Sequence, residues 1–363
     1  MSVLGSAEHS AKVLKSDMAI GKPEDVFQRV VREEGYWGRY EPSESDNGLD
    51  GLISDAHRLM NNSFADQKQN LVINGGHPNL YFDAIEADDN EVNALAFIED
   101  GWAMVGITNG LFASLYSLFL IACQDQDLVR SFEVEMSAPG ASEIFVLLYI
   151  TALNFAANHE LGHLVHGHCS STPTGPRTVR REVPSHAVAG SGLRSQAAEV
   201  EADGYATHMT LQNLLNCAAR DAAARQLGIP TNHSRLDEVL LRVFLTAVVC
   251  FFHCLHNALV AEHIESGSHP YELLRINVVI TDLQGWCATH RPRLANWPNQ
   301  DEFAQLGGLV RNAVRPSGIE DVWDTQNAFL GSDAGQQYRD RLYHERELLR
   351  KKMEPLQWQI LRE

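Results

Sequence analysis

Residues 159–163 read HELGH, and this HExxH motif restricts the fold of the surrounding chain more than any other feature. Its two histidines are four residues apart, so they share a face and reach one metal ion only if the segment is helical. Paired imidazoles with an intervening Glu are typical of zinc hydrolases, in which the Glu accepts a proton from a metal-activated water. We therefore predict that His159 and His163 bind one Zn²⁺ and that Glu160 acts as general base.

The residues before the motif predict that it ends a long buried helix. Side chains suited to a buried face recur there at helical spacing: Ile144, Leu147, Leu148, Thr151 and Phe155. Ser142 is the expected N-cap of this helix, and Gly167 is expected to stop it.

A catalytic zinc site needs a third protein ligand. The HExxHxxGxxH pattern does not supply it, because Gly167 falls one residue late and Cys169 stands at the position of the third His. The next predicted helix, residues 195–227, carries Glu199 and Asp203 four residues apart, so both lie on one face. One of these carboxylates is expected to bind the metal, while the other accepts a hydrogen bond from a ligating His.

Several segments together resemble the HtpX and CAAX prenyl protease type of gluzincin metallopeptidase. After HExxH, that family has an ExxxD motif, which matches residues 199–203, and a His-Pro pair followed by Arg-Ile, which matches residues 269–270 and 275–276. A weaker likeness covers residues 93–111, including Gly101 and the Gly-Leu pair at 110–111. The resemblance spans about residues 70–285 in the family's order.

The resemblance implies an α+β fold, predominantly helical, with a small antiparallel β-sheet over the zinc-binding helix. It also implies a residue set for the site: His159, His163 and Glu199 as zinc ligands, Glu160 as general base, Asp203 behind the ligands, and His269 and Arg275 nearby, to stabilise the oxyanion or support the zinc carboxylate.

Other roles remain open for several of these residues. Glu201 is an alternative to Glu199 as the metal ligand, or its side chain is simply exposed to solvent. His269 could simply precede a helix that starts at Pro270, and Arg275 could form an ordinary ion pair. We assign no role to His166 and His168, which suit the surface at a helix end; either of them, or Cys169, would be the fourth ligand if the zinc site were purely structural.

Upstream, the sequence predicts a β-hairpin. Residues 92–97 are at first alternately and then continuously apolar, residues 102–108 are largely apolar, and Glu99-Asp100-Gly101 forms the expected turn between them. The sheet could serve only to cover the zinc helix. Alternatively, an edge strand formed by Ala94, Leu95, Ala96 and Phe97 binds an extended substrate peptide through main-chain hydrogen bonds.

Composition limits the partners and the compartment of this 363-residue chain. A net charge of −18 disfavours nucleic acid as a partner. Residues 1–21 lack the apolar core of a signal peptide, and six scattered cysteines suggest reduced thiols, so we expect a cytoplasmic protein. The apolar stretches 111–123, 144–157 and 243–261 are predicted to be buried helices. The first is too short to span a membrane, the second runs directly into the HExxH motif, and the third carries Thr, His and Asn, which are costly in lipid. Membrane association is the less favoured alternative.

We predict three segments: a helical N-terminal extension over 1–69, a zinc metallopeptidase domain over 70–290, and a C-terminal extension over 291–363 that ends in a charged helix. The Ser-, Thr-, Pro- and Gly-rich stretch 169–194 is a candidate lid.

The expected activity is that of a soluble, regulated or narrowly specific zinc endopeptidase that acts on protein or peptide substrates. A role in stress response or defence is a hypothesis. The alternatives are a zinc-stabilised adaptor without catalysis, a membrane-associated protease of the same family, and a metal-dependent hydrolase of substrates other than peptides.

Overall fold

A computed structural model describes residues 20–41, 49–72, 76–88, 91–133, 138–169, 180–181, 192–255, 264, 269–317, 323–354, 357 and 359–360. The helices are α1 (Pro23–Glu33), α2 (Leu49–Asn70), α3 (Asn109–Ala122), α4 (Gln126–Arg130), α5 (Ala138–Val165), α6 (Gly192–Leu215), α7 (Cys217–Gln226), α8 (Leu236–Cys254), α9 (Glu272–His290), α10 (Gln300–Val314), α11 (Trp323–Leu330) and α12 (Asp333–Met353). The strands are β1 (Gly38–Arg39), β2 (Leu71–Val72), β3 (Leu80–Glu86), β4 (Ala94–Glu99), β5 (Trp102–Thr108), β6 (Arg180–Arg181) and β7 (Gln359–Ile360). The predominantly helical α+β class is therefore confirmed.

Contacts divide the chain into two units, which do not coincide with the three predicted segments. Unit 1 comprises residues 1–112, 160–185 and 347–363, and unit 2 comprises residues 113–159 and 186–346. The predicted extents 1–69, 70–290 and 291–363 stay a prediction. The charged helix expected near the C-terminus is α12.

Unit 1 is built on a five-stranded sheet with the order β1-β3-β5-β4-β6. The predicted hairpin is confirmed in β4 and β5, where Glu99 pairs with Trp102. Asp100 and Gly101 both have positive φ, as a type I′ turn requires, and this turn suits the twist of the strands. Helix α1 packs apolar side chains such as Phe27 and Val30 into the same core as Phe97 of β4.

Two details of the predicted sheet were wrong. The sheet is mixed rather than antiparallel, because β3 and β5 pair in parallel from Leu80↔Ala103 onward. Residues Ala94–Phe97 do not form an edge strand, because β4 lies between β5 and β6. The short strand β6 pairs with Leu95 and Ala96, at the place where the prediction put a substrate peptide. Such a pairing between distant segments leaves no periodic signal in either one.

Unit 2 is helical. Helix α6 packs against α8 and α9, and the aromatic rings of α8 surround Phe155 of α5, with Phe251 at 5.5 Å between centroids. The predicted N-cap Ser142 is wrong, since α5 begins at Ala138. The predicted helix over 195–227 is divided at Asn216, whose side chain accepts a hydrogen bond from the amide of Ala219 and so starts α7.

The three apolar stretches predicted as buried helices lie, over their described residues, in α3, α5 and α8 or directly after them, with mostly buried side chains. The segment Ser142–Val165 of α5 is long and apolar enough to cross a membrane, with a mean hydropathy of 1.3 over its most apolar window. In this structure 78% of that window is buried within the protein. The core helix of a globular protein has the same length and composition, so this feature alone is weak evidence for a membrane.

Candidate metal centre

The HELGH motif occupies the last two turns of α5, and a Schellman motif ends the helix directly after it. The amide of Gly167 donates to the carbonyl of Leu164 at 3.0 Å, and the amide of His168 donates to the carbonyl of His163 at 2.8 Å. Gly167 has a φ of +77°, which favours glycine, so the prediction that it stops the helix is confirmed. The boundary between the two units falls between His159 and Glu160, within this continuous helix.

Three buried side chains form a group with the composition of a metal site. The ligand atoms of His159, His163 and Glu199 lie within 4.8 Å of one another. Nε2 of His159 is 3.1 Å from Oε2 of Glu199. In a tetrahedron with zinc–nitrogen and zinc–oxygen bonds near 2.0 Å, two ligand atoms are about 3.3 Å apart, so this pair has the separation that zinc would impose.

Asp203 orients His159 from the other side of the imidazole ring. Its Oδ1 lies 3.0 Å from Nδ1 of His159, so a proton on Nδ1 would leave the Nε2 lone pair directed at Glu199. A carboxylate behind a ligating His fixes the ring tautomer and raises its basicity. The residues present therefore fit a zinc ion of the catalytic type, with two imidazoles and one carboxylate as ligands.

Arg275 is held in a bidentate ion pair with Asp203. Nε donates to Oδ2 at 2.9 Å and Nη2 donates to Oδ1 at 2.8 Å, and both side chains are buried. The guanidinium also lies 4.5 Å from the ring centroid of Phe252, and its Nη2 is 3.9 Å from Oε2 of Glu199. The geometry therefore places Arg275 behind the ligands, where it supports both carboxylates.

His269 lies beside the same carboxylate. Its Nε2 is 3.5 Å from Oε2 of Glu199, and its side chain is buried. Helix α9 begins only at Glu272, with Tyr271 at its N-cap, so His269 is not the residue that starts the helix. Glu160 is buried as well, one residue after His159 on α5.

Two residues differ from their expected surroundings. Glu201 was expected to be solvated, but it is 2% exposed because α6 is packed on both faces at this level. His168 was expected at the surface, but it is 3% exposed and its Nδ1 lies 3.0 Å from Nδ1 of His163. Its position follows from the turn at Gly167, which returns the chain towards His163, so the glycine that marks the helix end is also the sequence signal for the burial of His168.

Parts of the predicted site lie outside the described residues. They are residues 170–179 and 182–191 of the candidate lid over 169–194, and Ser268 before His269. Within the part of the chain that is described, the metal-type group contains three residues, and the Cys169 thiol instead contacts the carbonyl of Ala96 at 3.4 Å.

Comparisons with known proteins give one match. No curated protein and no solved structure matches the chain. Residues 125–289 match the model of the family Peptidase U49, and this region contains the HELGH motif, Glu199, Asp203, His269 and Arg275. The part of the chain that carries the candidate metal centre is therefore similar to a peptidase family.

Proposed function

We propose that this chain is a zinc-dependent endopeptidase of the HtpX and CAAX prenyl protease type. The observation that carries the proposal is the buried group of His159, His163 and Glu199, with Asp203 on the far side of His159. The similarity of residues 125–289 to a peptidase family favours peptide bonds over other hydrolysable substrates. One Zn²⁺ is the cofactor, and the substrates are proteins or peptides.

When bound at this site, Zn²⁺ would polarise a substrate carbonyl and lower the pKa of water towards about 7. The chain's own residues perform the proton transfers. Glu160 takes a proton from the attacking water and then delivers it to the leaving amine, so that no covalent link between enzyme and substrate forms. His269, next to Glu199, is the candidate donor for the negative charge that develops on the carbonyl oxygen.

Asp203 and Arg275 act before the chemistry begins. The two hydrogen bonds between them hold the carboxylate in one orientation, and that carboxylate holds the ring of His159. Arg275 also offsets the negative charge of two buried carboxylates, which would otherwise be costly to keep ionised.

Peptide binding would use strand β4, as in other proteins that extend a sheet with a peptide. Because β6 already pairs with Leu95 and Ala96, a substrate strand has to take the place of β6 or pair with its outer side. We place the enzyme in the cytoplasm, where six free thiols are stable. The apolar helix α5 is the feature that membrane association would use.

The test compares the intact chain with Glu160→Gln, which keeps the shape of the side chain but cannot take a proton. We expect zinc content to be unchanged and new protein N-termini in expressing cells to disappear, with a loss of turnover of about 10²- to 10⁴-fold. Glu143→Gln, on the same helix but outside the site, is the matched control and should cleave normally.

Zinc binding is tested separately with neighbouring carboxylates of α6. Glu199→Gln should weaken zinc affinity strongly, whereas Glu201→Gln should leave it nearly unchanged, although both residues are buried. If Glu160→Gln cleaves as the intact chain does, the general-base role is wrong. If the intact chain and Glu160→Gln both bind zinc but neither of these two proteins cleaves, the adaptor without catalysis becomes the better description.

A further inference from the structure

The second zinc-binding histidine has a support that differs from that of the first. Asp203 lies behind His159, whereas the group behind His163 is another imidazole, that of His168, with 3.0 Å between the two Nδ1 atoms. The rings meet nearly edge to face, with centroids 5.2 Å apart and planes at 61°. Both residues are buried.

The Schellman motif after α5 builds this contact. Because Gly167 takes a left-handed conformation, the chain reverses and the amide of His168 reaches the carbonyl of His163. The same reversal returns the His168 side chain to the ring of His163. The ring of His166 stacks on that of His168, with 5.7 Å between the ring centroids and an angle of 29° between the planes.

A hydrogen bond between two Nδ1 atoms requires one ring to donate and the other to accept. A neutral His163 that offers its Nε2 lone pair to zinc carries its proton on Nδ1, so it is the donor. His168 must then accept at Nδ1. This arrangement resembles the pairing of ligating histidines with carboxylates or carbonyls behind them, except that the acceptor is the nitrogen of a second imidazole.

We propose that His168 is a positioning residue of the zinc site, which accepts the Nδ1 proton of His163 and thereby fixes its Nε2 towards the metal. The inference rests on the proposed zinc-dependent function. It separates His168 from the ligands, since a neutral His168 that accepts at Nδ1 carries its proton on Nε2 and has no nitrogen lone pair left for the metal. It also gives the two histidine ligands unequal basicity, because an anionic acceptor strengthens a ligand more than a neutral one does.

The first experiment measures zinc affinity by competition with a chelator for the full chain and two variants. His168→Leu removes the acceptor and should weaken zinc binding by about 10- to 100-fold, the usual effect of losing such a partner. His168→Asn keeps an acceptor oxygen near the same position and should recover most of the affinity. His166→Ala is the control for the stacked ring and should change affinity less than His168→Leu.

A second experiment needs no variant and so does not depend on whether His168→Leu folds. In the zinc-loaded chain with ¹⁵N-labelled histidine, we expect His163 to bind zinc through Nε2 and to keep a proton on Nδ1. A separate measurement returns to the two variants: after cobalt substitution, the visible spectrum, which reports ligand geometry, should shift in His168→Leu and return in His168→Asn.

The outcomes separate this inference from the proposed function. Zinc bound through Nδ1 of His163, or equal zinc affinity of His168→Leu and the intact chain, overturns the role of His168 alone. An intact chain that binds no zinc overturns the proposed function and this inference together. An intact chain that binds zinc and obeys the expectations for His168 but cleaves no peptide overturns only the protease.

Discussion

A continuous series of side chains lies behind the candidate metal ligand His159. Arg275 fixes Asp203, and Asp203 fixes His159, through contacts of 2.8–3.0 Å between buried groups. Each link removes a rotational freedom that a ligand would otherwise lose on binding the metal. The rigidity of the site therefore comes from residues that need not touch the substrate.

Arg275→Leu should destabilise the fold by about 3–5 kcal/mol, because it leaves Asp203 as a buried charge without its guanidinium. Urea unfolding measures the loss, and chelator competition measures the accompanying fall in zinc affinity. Arg275→Lys keeps the charge but cannot form the bidentate pair, so it should fall between the intact chain and Arg275→Leu.

The exposed pair Arg130–Asp127 provides the matched control, because its side chains are 60% and 77% exposed. Arg130→Leu should change stability by only about 0–1 kcal/mol. Equal effects of the two Leu substitutions would mean that the pair between Arg275 and Asp203 does not hold the site together.

At the scale of elements, the sequence predicted local structure better than pairings between distant segments. The end of α5 shortly before Gly167, the hairpin of β4 and β5, and the placement of Glu199 and Asp203 on one helix follow from the sequence within single segments. The parallel pairing of β3 with β5 and the approach of β6 to β4 depend on contacts across long stretches of chain. Side-chain periodicity does not encode which strands become neighbours.

The same distinction applies to the site residues. Ordered motifs identified His159, His163, Glu199, Asp203, His269 and Arg275, and the structure brings them into one neighbourhood. The sequence left open whether Glu201 or Glu199 faces the metal, and it gave His168 no role. Helical spacing alone does not settle the burial of Glu201, because it depends on which helices pack against α6.

Strand β6 should restrain peptide binding if substrate uses β4. Neighbouring residues of an antiparallel strand point their N–H groups to opposite sides, so one of Arg180 and Arg181 donates to β4. Replacing both residues by Pro removes this donor and should release the pairing, so kcat/KM for a peptide substrate should rise. The double Ala variant keeps both N–H groups and should retain the restraint. A kcat/KM that falls or stays constant in the Pro variant would place the peptide elsewhere.

At the scale of the whole molecule, the cysteines divide into one exposed and several protected thiols. Burial raises the pKa of Cys123 and of Cys254 to about 12 and that of Cys287 to about 11. Burial likewise raises the pKa of Cys250, and Cys169 is buried, whereas Cys217 is exposed. Only a thiolate reacts readily with a disulfide reagent, and a raised pKa keeps the thiol protonated at neutral pH.

A thiol reagent at pH 8 should therefore label one cysteine rapidly in the native chain and all six after denaturation. The change in absorbance on release of the reagent's aromatic thiolate counts the reacted groups. Cys217→Ser should abolish the rapid phase, and rapid reaction of two or more thiols in the native protein would contradict the burial described for the others.

The links His159–Asp203–Arg275 also have a consequence for the order of synthesis. Arg275 lies 72 residues after Asp203 and 116 residues after His159, so the ribosome makes the HELGH motif long before the guanidinium that secures its first histidine. A nascent chain that has not yet completed α9 carries the candidate zinc ligands without this support. The proposed hydrolytic centre would therefore gain this support only after translation has passed α9.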